Sequence, residues 1–586
     1  SVLCAREEGR EEEELILDPN EFSSDGTVAV NYISFSRDGK TLLYSRSQSG
    51  SDWQTLHIRD LQSGEEYEEI LQDCRWPCAA WDGKGEGFFY RRYPSAHEVS
   101  AEDRINYCRL CFHRLGTQQS EDLTIWDCPE DKTLSPLPEV SSDGRYLIVQ
   151  TMRSCDRVSK VFLKDLSNDS PFETIVEKEE NGYYFVGDRN ERLYFLSNFE
   201  ADKWCLLAYD TQGDSEKAWS LIIPEGDFVL KDGVLTSEGI IACHEVDAKH
   251  ELTLYDFSGK PLEEIQLPAM ASITGLRGQE DQRDAYFNYS SYLEPNTVYR
   301  YDSKEKELEK LFQGKVDFDD SPYETRQIFY PAKDGVKIPM AITCRRDLKL
   351  DGSSKVLLYG YGGFGISLTP AFNVTASVWL ERGGIFAVAN LRGGGEYGRQ
   401  WHDAGKLLNK QNVFDDFIAA AEYLVSQGYG SREKLAIWGG SNGGLLTAAC
   451  MLQRPELFAA VISSVPVIDM LRFHKFTCGR YWVCDYGNPE EKEEDFLNLL
   501  AYSPLHNIRE GLEYPPLLVL TADGDDRVVP SHGKKFIATL QAQAETDNPL
   551  LLRVEPKAGH GHGKPTSKRI EESAYMLSFL EKVLKE

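Results

Sequence analysis

The chain has 586 residues and a formal net charge of -31, so it is too long for one hydrophobic core, and at least two domains are expected. That acidity argues against a nucleic-acid or anionic-membrane surface, which would need clustered Lys and Arg. No apolar run reaches the roughly 18 residues of a membrane span, and the 13 cysteines are scattered, as expected for reduced thiols in the cytosol.

The opening "SVLCAREEGREEEELILDPN" lacks the apolar core of a signal peptide, and residues 1–20 are read as a segment ahead of the first domain. From 21 to 315, short β-rich runs alternate with turns, and one phrase returns: "LHIRDLQSG", "VFLKDLSND", "LLAYDTQGD", "TLYDFSGK" and "VYRYDSKEK". Each is a strand ending in an aspartate-led turn. The aspartates are Asp60, Asp165, Asp210, Asp256 and Asp302, the last four spaced 45, 46 and 46 residues apart. Four antiparallel strands occupy about that length, so a β-propeller of seven blades is expected. "CRLC" at Cys108 and Cys111 has the spacing of a zinc half-site but no second pair, and no metal is expected.

From 320 to 586 the pattern changes to buried strands such as "KVLLYGYGG", "GIFAVANL", "KLAIWGG" and "PLLVLTAD", alternating with helical stretches such as "FDDFIAAAEYLVSQG". This is the signature of an α/β domain with a parallel sheet. In "AIWGGSNGGLLTAA", Gly439, Ser441 and Gly443 fit G-x-S-x-G between a strand and a helix, the nucleophile elbow of an α/β-hydrolase. A serine hydroxyl needs a base, and the base needs an acid to fix its tautomer. "TADGDDRVVP" supplies Asp523, Asp525 and Asp526 beyond one strand, and "KAGHGHGKP" supplies His560 and His562 beyond another. His402, His474 and His532 read as surface or satisfied core residues.

The strings "YGYGGFGISLTP", "NKQNVFDDFIAAAEYL", "GGSNGGLL", "DYGNPE", "YSPLHNI", "TADGDDRVVP" and "KAGHGHGKPT" resemble the prolyl oligopeptidase family, most of all its prolyl endopeptidase-like branch. The likeness extends into the first half through "LILDPN", "SDGTVAV" and "VSSDGRYL". It implies an α/β-hydrolase domain joined to a seven-bladed propeller. It further implies a triad of Ser441, Asp525 and His560, with His562 where relatives carry a small residue. The implied oxyanion donors are the Tyr361 hydroxyl and the Asn442 N–H. The implied proline-sized pocket is made of Phe364, Val467, Trp482, Tyr486 and Val528, with Arg527 beside it. One position departs: where the family has a propeller Arg that contacts the peptide backbone, this chain has Met152, followed by Arg153.

The expected activity is that of a serine hydrolase without cofactor, acting on short peptides or small substrates admitted past the propeller, with weak or altered peptidase specificity. Two alternatives stay open. One is an esterase or thioesterase acting on acyl substrates; the other is a largely non-catalytic protein whose propeller rim binds protein partners. A monomer is expected.

Overall fold

The computed structural model describes residues 2–6, 13–153, 155, 158–213, 218–561 and 563–584. The first half contains six successive antiparallel sheets of at least four strands, whose first strands begin at Val28, Ala79, Leu134, Tyr183, Val229 and Ser272. The aspartate repeat has a simple cause. Asp60, Asp165, Asp210 and Asp302 end the third strand of their sheets, and Asp256 follows one. Each carboxylate accepts from the N–H two residues on, at 2.9 Å from Gln62, 2.8 Å from Ser167, 3.0 Å from Gln212, 2.9 Å from Ser258 and 3.0 Å from Lys304. These are Asx turns, which reverse the chain by a local bond and so need no help from the rest of the blade.

Residues expected to precede the propeller take part in it. Leu3–Arg6 pairs with Glu13–Leu17 in a two-stranded antiparallel ladder. Leu17 is buried with Leu42 and Tyr44 of the first sheet, and the Arg6 guanidinium donates to the Leu311 carbonyl in the outer strand of the last. The ladder thus sits between the first and last four-stranded sheets. Among the described residues, this two-stranded ladder stands beside the six larger sheets of the propeller.

The second half is one eight-stranded sheet: β1 (Tyr323–Pro331), β2 (Lys337–Arg345), β3 (Val356–Tyr359), β4 (Ile385–Ala389), β5 (Leu435–Gly440), β6 (Ala460–Ser464), β7 (Leu517–Ala522) and β8 (Leu550–Glu555). The spatial order is β1-β2-β4-β3-β5-β6-β7-β8, parallel from β4 onward. The central strands are uninterrupted apolar runs because helices cover both faces. One face packs α1 (Gln411–Ser426) and α2 (Asn442–Gln453); the other packs α3 (Thr566–Val583).

The propeller meets the loops that follow the C-terminal ends of these parallel strands, where active sites of open α/β sheets lie. The Ser367 hydroxyl, beyond β3, donates to Glu245 at 2.8 Å. Tyr397, beyond β4, donates to Asp247 at 2.8 Å. Beyond β7, the Asp526 carboxylate accepts from the Ser51 hydroxyl at 2.7 Å.

Candidate active site

Ser441 is the hinge residue between β5 and α2, with φ +58° and ψ -116°. A side chain rarely takes that left-handed backbone, and the neighbouring glycines explain how the turn is made. A Cβ on Gly439 would lie 2.2 Å from the Gly443 carbonyl oxygen, and one on Gly443 would lie 2.6 Å from that of Gly360. The turn is held from the sheet side by the Ser441 N–H, which donates to Ser464 O at 2.8 Å. Asn442 opens α2, where the first N–H groups have no intrahelical acceptor and the helix dipole favours negative charge.

Beyond β7 and β8 stand the acid and the histidine. His560 Nδ1 and Asp525 Oδ2 are 2.8 Å apart, the histidine slightly exposed and the aspartate fully buried. The other carboxylate oxygen accepts from the Arg527 and Val528 N–H groups at 3.0 and 2.8 Å. Both oxygens are therefore committed, which fixes the carboxylate plane. His562 lies outside the described residues.

The loop after β3 places the Tyr361 phenol close to the Ser441 side chain. Burial, followed by the negative charge of Asp485, pushes the Tyr361 phenol well above its ordinary range, so it stays a protonated donor.

Two family models cover most of the chain, "Prolyl oligopeptidase, N-terminal beta-propeller domain" over residues 1–313 and "Prolyl oligopeptidase family" over residues 370–586. The chain belongs to the prolyl oligopeptidase family. It is a serine peptidase by that membership. A prolyl endopeptidase of Elizabethkingia meningoseptica is 39% identical over 99% of this chain and 82% of its own length. A structure from a study of two prolyl endopeptidases superposes with a TM-score of 0.95 at 38% identity, covering 100% of this chain and 86% of the other. Prolyl oligopeptidase B from Galerina marginata, bound to a 35-residue hydrolysis and macrocyclization substrate, gives a TM-score of 0.92 at 31% identity, covering 98% and 82%.

The residues expected to form a proline-sized pocket lie near one another, next to the serine's helix. Phe364 and Trp482 are half-buried, whereas Val467, Val528 and Tyr486 are buried. Phe364 meets Tyr486 edge-on at 5.4 Å, and Trp482 stacks over Phe473 at 6.5 Å. Tyr486 stands behind the wall: its hydroxyl donates to Asn442 Oδ1 at 2.8 Å. Arg527 points to the propeller instead, pairing with Asp52 at 2.6 and 3.1 Å. Burial works to raise the Asp52 carboxyl, but the Arg527 and Arg75 guanidinium groups together outweigh it and hold it below the usual range.

The sequence reading missed the groups behind the loop that follows β3. Lys410, wholly buried at the start of α1, donates to Gly362 O at 2.9 Å and to Asn442 Oδ1 at 3.1 Å. Asp485 accepts from His402 at 2.7 Å and from the Phe364 N–H at 3.1 Å. "NKQN" and "CDYG" carry these residues, yet no local pattern marks them, because their partners come from distant segments.

Proposed function

We propose that this family member is a proline-directed endopeptidase of short peptides working through Ser441, His560 and Asp525. Ser441 attacks the carbonyl while His560 takes its proton and later returns it to the leaving amine; Asp525 keeps the imidazole in the required tautomer. The Tyr361 hydroxyl and the Asn442 N–H bind the oxyanion, and the propeller excludes folded proteins. The observation that carries this reading is the 2.8 Å Asp525–His560 pair in loops beyond β7 and β8, with Ser441 on a strained elbow beyond β5. A flat proline ring would stack on Trp482 between Phe364, Val467 and Val528. Incubation with a proline-containing chromogenic peptide is the test: cleavage after proline is expected, and no cleavage after any residue would sink the assignment.

A second reading, ester or thioester hydrolysis with weak peptide cleavage, is favoured by one observation. Arg153, next to Met152 in the chain, is held within the propeller. Its guanidinium donates to Glu179 at 2.8 and 3.1 Å, to Thr133 at 2.7 Å and to Asp131 at 2.5 Å. Reaching for substrate would mean leaving two carboxylates. Without that clamp a peptide loses a charge-assisted hydrogen bond of about 1.5 to 3 kcal/mol, roughly ten- to a hundredfold in binding. Met152→Arg is therefore expected to raise kcat/KM for proline peptides by about tenfold or more and to leave an activated ester nearly unchanged. Equal effects on both substrates would remove the reason for this second reading.

A further inference from the structure

The oxyanion loop has an unfavourable backbone. Gly362, Phe364 and Gly365 have φ of +63°, +58° and +59°, and the phenylalanine among them is in a conformation that a side chain avoids unless its surroundings enforce it. A Cβ on Gly362 would lie 2.3 Å from Val413 Cγ1 of α1, so the loop is pressed against that helix. Its backbone is then held at three points in four residues. Tyr361 O accepts from Asn442 Nδ2 at 2.5 Å, Gly362 O from Lys410 Nζ at 2.9 Å, and Asp485 Oδ1 accepts from Phe364 N at 3.1 Å.

Two of those three holders are ionisable side chains of opposite sign with almost no access to water, since the Lys410 and Asp485 side chains are each 1% exposed and lie 3.7 Å apart. At that distance they form an ion pair without a direct hydrogen bond. Each spends its hydrogen bonds on the loop or its supports, and the pairing is one of charge. Asn442 ties the holders to the elbow, accepting from both Lys410 and Tyr486 on Oδ1. His402 braces Asp485 from the far side and also lines a cleft of about 410 Å³ between propeller and catalytic domain, with Trp204, Lys231, Gly365 and Arg399.

We propose that Lys410 and Asp485 are the positioning residues of the oxyanion hole, their opposite charges cancelling beside the reacting oxygen while their hydrogen bonds fix the Tyr361–Phe364 backbone. The proposal rests on Tyr361 being an oxyanion donor. Cancellation matters because the negative charge of Asp485 acts directly on the Tyr361 phenol and would oppose an oxyanion forming there. Burial pulls the Lys410 ammonium below its ordinary range, against the opposing pull of the Asp485 charge. Burial works to raise the Asp485 carboxyl, yet the His402 bond and the Lys410 charge prevail and keep it below its ordinary range. The charged and titratable groups facing Asp485 are Lys410, His402, Tyr361, Tyr486 and Tyr502.

The test is a double-mutant cycle with kcat and KM measured separately on one proline-containing chromogenic peptide. Lys410→Met is expected to lower kcat about 10²-fold with KM nearly unchanged, as displacement of one preorganised donor does. Asp485→Asn keeps an acceptor for the Phe364 N–H and for His402 but removes the charge. Added to Lys410→Met, it is expected to restore kcat by about tenfold, because removing both members of a buried pair is far milder than stranding one. Losses that multiply in the double variant, or an unchanged kcat in Lys410→Met, overturn the proposal. If Lys410→Met does not fold, Asp485→Asn decides alone: a new ionisation in the pH profile of kcat, from the stranded lysine, supports the proposal, and a profile superimposable on the parent overturns it. Tyr361→Phe is run beside them and is expected to cost about 10²- to 10³-fold in kcat. An unchanged kcat there shows that the oxyanion assignment itself has failed, which the lysine and aspartate variants alone could not reveal.

Discussion

Ser441→Ala is expected to lower kcat by about 10⁶-fold, the loss found when a triad nucleophile is removed and only binding and oxyanion stabilisation remain. Labelling by a fluorophosphonate should vanish with it, since that reagent needs the same activated hydroxyl. Stability offers no rival explanation. Alanine keeps the Cβ at φ +58°, so the elbow carries the same strain before and after, and the lost hydroxyl does not anchor the turn, whose bond to Ser464 comes from the backbone N–H. Matching thermal unfolding curves beside inactive protein are the expected pair of results. Labelling that persists in Ser441→Ala would assign the nucleophile to another residue.

The second large effect is expected from Asp525→Asn, about 10⁴-fold in kcat, and the hydrogen bonds around the carboxylate say why. Oδ1 accepts from two backbone N–H groups, while Oδ2 faces His560 Nδ1. In asparagine, the carbonyl oxygen must stay with the two N–H donors, which leaves the amide NH₂ facing the imidazole. It donates to Nδ1, so the proton of the neutral ring moves to Nε2. The nitrogen that should accept the serine proton is then already occupied. KM should change little, because no group in the proline pocket moves. A loss of less than about tenfold in kcat would mean that Asp525 does not set the tautomer.

What could be read from the sequence was whatever local chemistry repeats or punctuates. Asp60, Asp165, Asp210, Asp256 and Asp302 announced the blades because an Asx turn is complete within three residues. The glycines around Ser441 announced the elbow because a sharp strand-to-helix turn excludes Cβ atoms wherever it occurs. The order of Ser441, Asp525 and His560 followed from strand ends. Groups whose role is made only by docking stayed hidden. Lys410 and Asp485 are 75 residues apart in the chain, and nothing near either says that they meet under the oxyanion loop. Arg527 was expected beside the substrate; its bidentate partner Asp52 lies in the first blade, too distant for any periodicity to suggest. The ladder of Leu3–Arg6 with Glu13–Leu17 was missed for a related reason, since its acidic run masks the alternation that would mark a strand.

The bonds between the first blade and the loop "DGDDRV" make a mechanical interlock. That loop carries Asp525, the acid of the proposed triad, and its next two side chains are fastened to the propeller: Asp526 to the Ser51 hydroxyl and the Asp52 N–H, and Arg527 to the Asp52 carboxylate. Prising the two domains apart far enough to admit a bulky polypeptide must first unfasten these links, one and two residues from the carboxylate that orients His560. On the proposed mechanism, a wider entrance would therefore loosen the loop that carries the proposed acid.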